Sequence, residues 1–220
     1  MIPLRDTAKS RRFPLINTSL IGLNCLVFIG EIAQGPQLKE FVYTYGLVPA
    51  DLMGSGRFSP ISLFTFMFIH DGFWHLLANM WSLYIFGDNV EDKLGPGRYL
   101  IFYLLVGLAS GLSHVLVNAH SQVPTIGASG AIAGIMGAYV LLHPQAKILT
   151  LVPIFFFFYF IEVPAFVFVG VWFMFQFISA AGAGAQQAGI AWWAHIAGFI
   201  FGLLLINLFM KSRGRRRAWG

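Results

Sequence analysis

Charge is scarce in this chain. Of its 220 residues only 10% are Asp, Glu, Lys or Arg, where a soluble domain carries about a quarter. With 57% hydrophobic residues and a mean hydropathy of +0.72, the composition excludes a water-soluble globule and indicates an integral membrane protein. Cysteine is almost absent. A lone Cys25 excludes an intrachain disulfide framework and reads as an inert, small apolar residue. Acidic residues near the apolar runs (Glu31, Asp71, Asp88, Glu91 and Glu162) all fall near run ends. The mid-membrane charges or paired broken helices of a small transporter are therefore missing. No long-period repeat and no separate soluble domain is visible.

What is present is a series of apolar runs, at roughly 14–33, 60–87, 98–118, 127–142, 163–181 and 190–210. Each is long enough, or nearly so, to cross about 30 Å of hydrocarbon at about 1.5 Å per residue. The first follows Arg11 and Arg12 but lacks a small-residue cleavage site, so it reads as a retained helix. The run Ile148 to Ile161 is short, holds Pro153 and is bracketed by Lys147 and Glu162. An interfacial or re-entrant piece is expected over 147–162, not a seventh span. The loop 34–59, with Phe41, Tyr43, Tyr45 and Phe58, is expected to lie partly in the interface.

Positive charge fixes the parity. With six spans and the N-terminus inside, Arg5, Lys9, Arg11, Arg12, Lys93, Arg98, Lys147, Lys211, Arg213, Arg215, Arg216 and Arg217 are cytoplasmic, and Lys39 and Arg57 are not. A seventh span would put the basic tail outside and carry His195 to the face opposite Ser129. The expectation is an all-α polytopic bundle of six transmembrane helices with both termini cytoplasmic. It divides into a short N-terminus (1–13), a membrane domain (14–210) and a basic tail (211–220). The net charge of +5 is then an orientation signal and an anionic-lipid contact, and no nucleic acid is expected as partner.

Two polar residues stand out by depth. The fourth run is short of a full crossing, so its outer end lies below the surface, and Ser129 sits about one turn inside it. His195 lies about five residues from the outer end of the sixth run, some 6–8 Å in. A hydroxyl and an imidazole at matched depth make sense as a nucleophile and its base, which points to hydrolysis within a membrane. Gly127 and Gly130 flank Ser129, and a helix N-terminus there favours developing negative charge. Gly130, Gly134 and Gly137 form one small-residue face, and Gly198 and Gly202 another, so the two helices can pack backbone to backbone. His75 and Asn79, four apart on one helix face, can both donate to an oxyanion. No His-Glu-x-x-His pair or acidic ligand joins His70, His75 and His195, so neither a metal nor another cofactor is expected. His114, His120 and His143 are left without a role, and Phe155 to Phe158 reads as an interface anchor.

His75-x-x-x-Asn79, Gly127-Ala128-Ser129-Gly130 and Ala194-His195-x-x-Gly198, in that order on separate runs, resemble the rhomboid family of intramembrane serine proteases. Gly87-x-x-x-Glu91-x-x-x-Gly95 resembles it too, and the likeness covers about 60–210. The resemblance implies Ser129 as nucleophile, His195 as general base, and an oxyanion hole of His75, Asn79 and the Ser129 amide. It implies transmembrane protein substrates cut near their outer ends through an acyl-enzyme, with no oligomeric state specified. The fifth span and Ala180 to Gly189 would be gate and cap, and Glu91 a structural carboxylate. The Trp-Arg pair that many members carry before the second span reads Ile61-Ser62 here, so no loop contact through that arginine is expected. A catalytically silent binder or chaperone of membrane helices using the same groove is the second reading; retention of both Ser129 and His195 favours the enzyme. The short N-terminus, free of a transit-type stretch, points to a bacterial plasma membrane.

Overall fold

A computed structural model describes residues 2–55, 58–182 and 191–210. In chain order it holds strand β1 (Ile2–Asp6), helices α1 (Leu15–Ala33), α2 (Leu38–Tyr45), α3 (Ser62–Thr65), α4 (Phe73–Leu94), α5 (Pro96–Val117) and α6 (Ser129–Leu142), strands β2 (Lys147–Ile154) and β3 (Phe157–Pro164), and helices α7 (Ala165–Gly182) and α8 (Trp192–Phe209). By length and composition α1, α5, α7 and α8 can each cross a membrane. The apolar α6 is shorter, at 14 residues. The 22-residue α4 is long enough, but its last turns carry Asp88, Glu91, Asp92 and Lys93.

Two expectations are corrected. The run 60–87 is not one helix. It forms α3 and a tight 3-10 turn over Phe66–Phe68, then breaks before α4 begins at Phe73. The break falls at Asp71-Gly72, where Gly72 has φ 87, a left-handed conformation that glycine adopts without penalty. The molecule is also not all-α. Residues 147–164 form a β-hairpin, and β1 pairs antiparallel with β2 from Ile2↔Leu151 to Asp6↔Ile148, giving a sheet ordered β1-β2-β3. The run from Ile148 to Ile161 is too short to span as a helix and is rich in β-branched and aromatic residues that suit a strand. Pro153 lies beyond the last residue that β1 pairs with, where a missing donor is tolerated. The segment 34–59 is likewise structured: its buried Leu47 bridges Thr125 through Leu47 N–H to Thr125 O (3.0 Å) and the reverse bond (2.8 Å).

The core is built around α6, buried from Gly130 through Tyr139. At its glycines α8 packs against it backbone to backbone. A Cβ on Gly198 would press on the Gly130 carbonyl, and one on Gly202 on the Gly134 carbonyl. This is the small-residue contact that lets membrane helices approach closely, and it sets the separation of the first turns of the two helices. The segment Gly87 to Gly95 ties α4 to its neighbours. Glu91 accepts Ile16 N–H (3.1 Å) and Asn17 N–H (2.8 Å), satisfying two free donors at the start of α1. Asn17 in turn accepts Tyr99 O–H (2.7 Å) and donates to the Leu83 carbonyl (3.1 Å), where a side chain on Gly87 would collide with it. Glu91 is thus a structural carboxylate.

Candidate active site

Ser129 is the first residue of α6, at the very start of the helix rather than about one turn inside it as expected. The preceding Gly127 has φ 111 and donates its N–H to the Phe66 carbonyl (2.8 Å), turning the chain sharply into the helix. Because α6 begins at Ser129, the N–H groups of Ser129, Gly130 and Ala131 have no intrahelical acceptor. His195 enters from the first turn of α8, and its Nε2 lies 2.7 Å from Ser129 Oγ.

The other ring nitrogen decides the proton. His195 Nδ1 is 2.7 Å from Gln176 Oε1, an amide oxygen that can only accept. Nδ1 therefore carries the hydrogen, Nε2 is a bare lone pair, and the Ser129 hydroxyl donates to it. Gln176 comes from α7, one turn after Trp172, and its amide group donates to the Trp172 carbonyl (3.3 Å). The rings of Trp172 and Trp192 stand 6.0 and 6.1 Å from the imidazole.

His75 is held in the opposite sense. The Asp71 N–H donates to His75 Nδ1 (3.2 Å), which leaves the hydrogen on Nε2. That nitrogen abuts Gly127: a Cβ there would be 2.8 Å from it. The loop that presents Asp71 is tied to α1, since the Glu31 side chain accepts the neighbouring His70 N–H through both oxygens (3.2 Å each). Asn79 is buried one turn below His75 and commits one amide hydrogen to the His75 carbonyl (3.0 Å). The second hydrogen is left for another acceptor.

All four residues singled out in the sequence, Ser129, His195, His75 and Asn79, line a single cavity of about 430 Å³. Among the other lining residues, sequence reasoning missed the ones grouped around His195: Trp172, Gln176 and Trp192. A signal for Gln176 did exist, as an amide in the middle of the apolar run 163–181. His70 stacks edge-on to His75 at 5.1 Å and does not line the cavity. The gate and cap expected over Ala180 to Gly189 lie, beyond Gly182, outside the described residues, as does the basic tail 211–220. Chemically, the arrangement holds an acceptor for a serine proton on one side and N–H donors for an oxyanion on the other.

The sequence profile of the Rhomboid domain matches residues 57–212. Over 138 residues the chain is 33% identical to Rhomboid protein 1, mitochondrial, of Saccharomyces cerevisiae, covering 61% of this chain and 38% of that protein. Over 139 residues it is 32% identical to Rhomboid protease GluP of Bacillus subtilis, covering 62% of this chain and 26% of that protein. Over 80 residues it is 35% identical to Putative rhomboid protease YdcA of the same bacterium, covering 36% of this chain and 40% of that one. The chain spans between 26% and 40% of the length of these relatives. The matched region contains α4, α6, α7 and α8 and with them every residue of the cavity just described, and the chain, a multi-pass membrane protein, belongs to the rhomboid family.

Proposed function

We propose that the chain is an intramembrane serine endopeptidase that cuts transmembrane segments of other membrane proteins near the outer face of the bilayer. The observation that carries this reading is the Ser129 Oγ to His195 Nε2 contact of 2.7 Å, with the far nitrogen of the same ring committed to an acceptor. Ser129 Oγ attacks the scissile carbonyl carbon as its proton passes to His195 Nε2. The oxyanion that forms is met by the Ser129 amide, His75 Nε2–H and the free hydrogen of Asn79. His195 then returns its proton to the departing amine, and a water activated by the same nitrogen hydrolyses the acyl-enzyme. No group in these steps comes from a metal or cofactor.

The proposed topology counts α1, α4, α5, α6, α7 and α8 as six crossings, with both termini in the cytoplasm of a bacterial cell. Ser129 then opens to the outer side, because α6 begins there and its other end leads to the hairpin. The hairpin tip from Ile154 to Ile161 is exposed throughout, with Phe155 and Phe156 at 94% and 93%. We assign it to the lipid interface on the cytoplasmic face, where aromatic rings are favoured.

The test is covalent labelling of the detergent-solubilised protein with a fluorophosphonate. Labelling of the wild type that both Ser129→Ala and His195→Ala abolish, with the folded state retained, is the expected result. A folded wild type that neither labels nor cleaves a transmembrane substrate in liposomes would refute it.

A further inference from the structure

We propose that Gln176 is a positioning residue for His195: its side-chain oxygen holds the imidazole in the one neutral tautomer that can take the Ser129 proton. Because Gln176 stands on α7, that tautomer is set only while α7 lies against α8. The proposal rests on the reading of Ser129 and His195 as nucleophile and base.

A neutral imidazole carries one hydrogen, and the two placements have opposite consequences here. On Nε2 the hydrogen would point at Ser129 Oγ, and the ring could not accept from it. On Nδ1 it leaves Nε2 free. The choice depends on what Nδ1 meets. Gln176 Oε1 meets it at 2.7 Å. The two ring systems beside the imidazole, Trp172 and Trp192, offer only indole N–H donors and cannot substitute. The sense of the Gln176 amide is itself fixed, because its Nε2 donates to the Trp172 carbonyl and leaves the oxygen facing the ring.

An amide can fill the place that a carboxylate fills in a Ser-His-Asp triad. It gives the imidazolium formed during acyl transfer a dipole to face, without a second ion to desolvate inside the bundle. The helix that presents it is attached narrowly. The buried residues of α7 are Ala165, Phe168, Val169, Gln176 and Ala180, a single stripe, while Phe175, Phe177 and Ile178 beside Gln176 are exposed. Gln176 is the polar member of that stripe. An outward displacement of α7 separates it from His195 without disturbing the α6–α8 contact that brings Ser129 and His195 together. The position of α7 and readiness of the base are therefore coupled through one hydrogen bond.

The experiment reads the ring directly. Full-length protein carrying nitrogen-15 histidine is solubilised in detergent, and the His195 ring signals are assigned by their loss in His195→Ala. The wild type is expected to show the Nδ1–H form. Gln176→Leu is expected to lose that signature and to slow fluorophosphonate labelling at least ~10²-fold, with thermal unfolding little changed. Gln176→Glu keeps an acceptor of the same reach and is expected to restore the Nδ1–H form and labelling to within a few-fold of wild type. It also carries the test if the leucine variant does not fold. A Gln176→Leu protein with wild-type tautomer and labelling rate would overturn the proposal, as would a folded Gln176→Glu protein lacking the Nδ1–H form. The two readings separate cleanly. A Gln176-dependent tautomer in a protein that never labels sinks the hydrolase and leaves the positioning role. Rapid Ser129 labelling indifferent to Gln176 does the reverse.

Discussion

Gly127 places Ser129 and His75, two groups of the proposed reaction, at once. Its φ of 111 turns the chain into α6, and the space where its side chain would be is taken by His75 Nε2, 2.8 Å from a built Cβ. Gly127→Ala adds a methyl at that point and forces a left-handed alanine, a strain of about 1–3 kcal/mol. The expected outcome is a folded protein whose fluorophosphonate labelling drops by ~10² or more, the scale of one lost oxyanion donor. Labelling at the wild-type rate would detach His75 from the reaction. Ser129, His195, His75 and Asn79 were legible because each is a polar residue in an apolar run, set beside small residues at helical spacing. Gln176 meets the first part of that criterion, a polar residue in an apolar run, yet its role is not legible there. Its meaning depends on α7 approaching α8 with that face inward, and no spacing within one segment specifies an approach between segments.

At the level of elements, the α6–α8 contact was readable from its glycines, since a row of small residues has few uses in lipid other than close packing. Gly198→Ala is expected to cost about 1–3 kcal/mol by overpacking, seen as a lower unfolding temperature, because the new methyl meets the Gly130 carbonyl. A variant as stable as wild type would show that the helices can separate freely. The broken second run and the hairpin were less legible. Hydropathy sums over 60–87 do not register that Asp71-Gly72 is turn chemistry, and a five-residue strand such as β1 leaves no periodicity to find. The proposed lipid contact of the hairpin is testable with a single introduced cysteine. In a Cys25→Ser background, a fluorophore on Phe156→Cys in liposomes should be quenched by lipids brominated near the headgroup more than by those brominated at the chain ends. Absence of quenching by either would remove the tip from the membrane.

Across the whole molecule, the end of the bundle opposite Ser129 is closed by a strand that arrives from far away in sequence. Asp6, the last residue of β1, accepts hydrogen bonds from Tyr139 O–H and from Asn89 Nδ2 (2.9 Å), and Pro3 O accepts from the Trp81 indole (2.6 Å). Burial raises the Asp6 carboxyl above its ordinary 3.8, partly offset by the Tyr139 bond. The folded state thus holds the Asp6 proton more tightly than the unfolded state does. Its contribution to docking is fully present below the ordinary carboxyl pKa and declines as pH rises through the raised folded-state value. Hydrogen exchange of the β1 amides, corrected for intrinsic rates, should show protection falling over that window. Asp6→Asn, which keeps an acceptor without the charge, should flatten the dependence; an unchanged slope would assign it to another group. The register of the sheet also sets a schedule. Asp6 pairs with Ile148 and Ile2 with Leu151, so the strand made first has no partner until some 140 residues more have been synthesised, about 7–30 s at ordinary translation speed. For that interval the chain carries an unpaired edge, and the bundle can be inserted and its helices packed before the last piece of the fold closes over it.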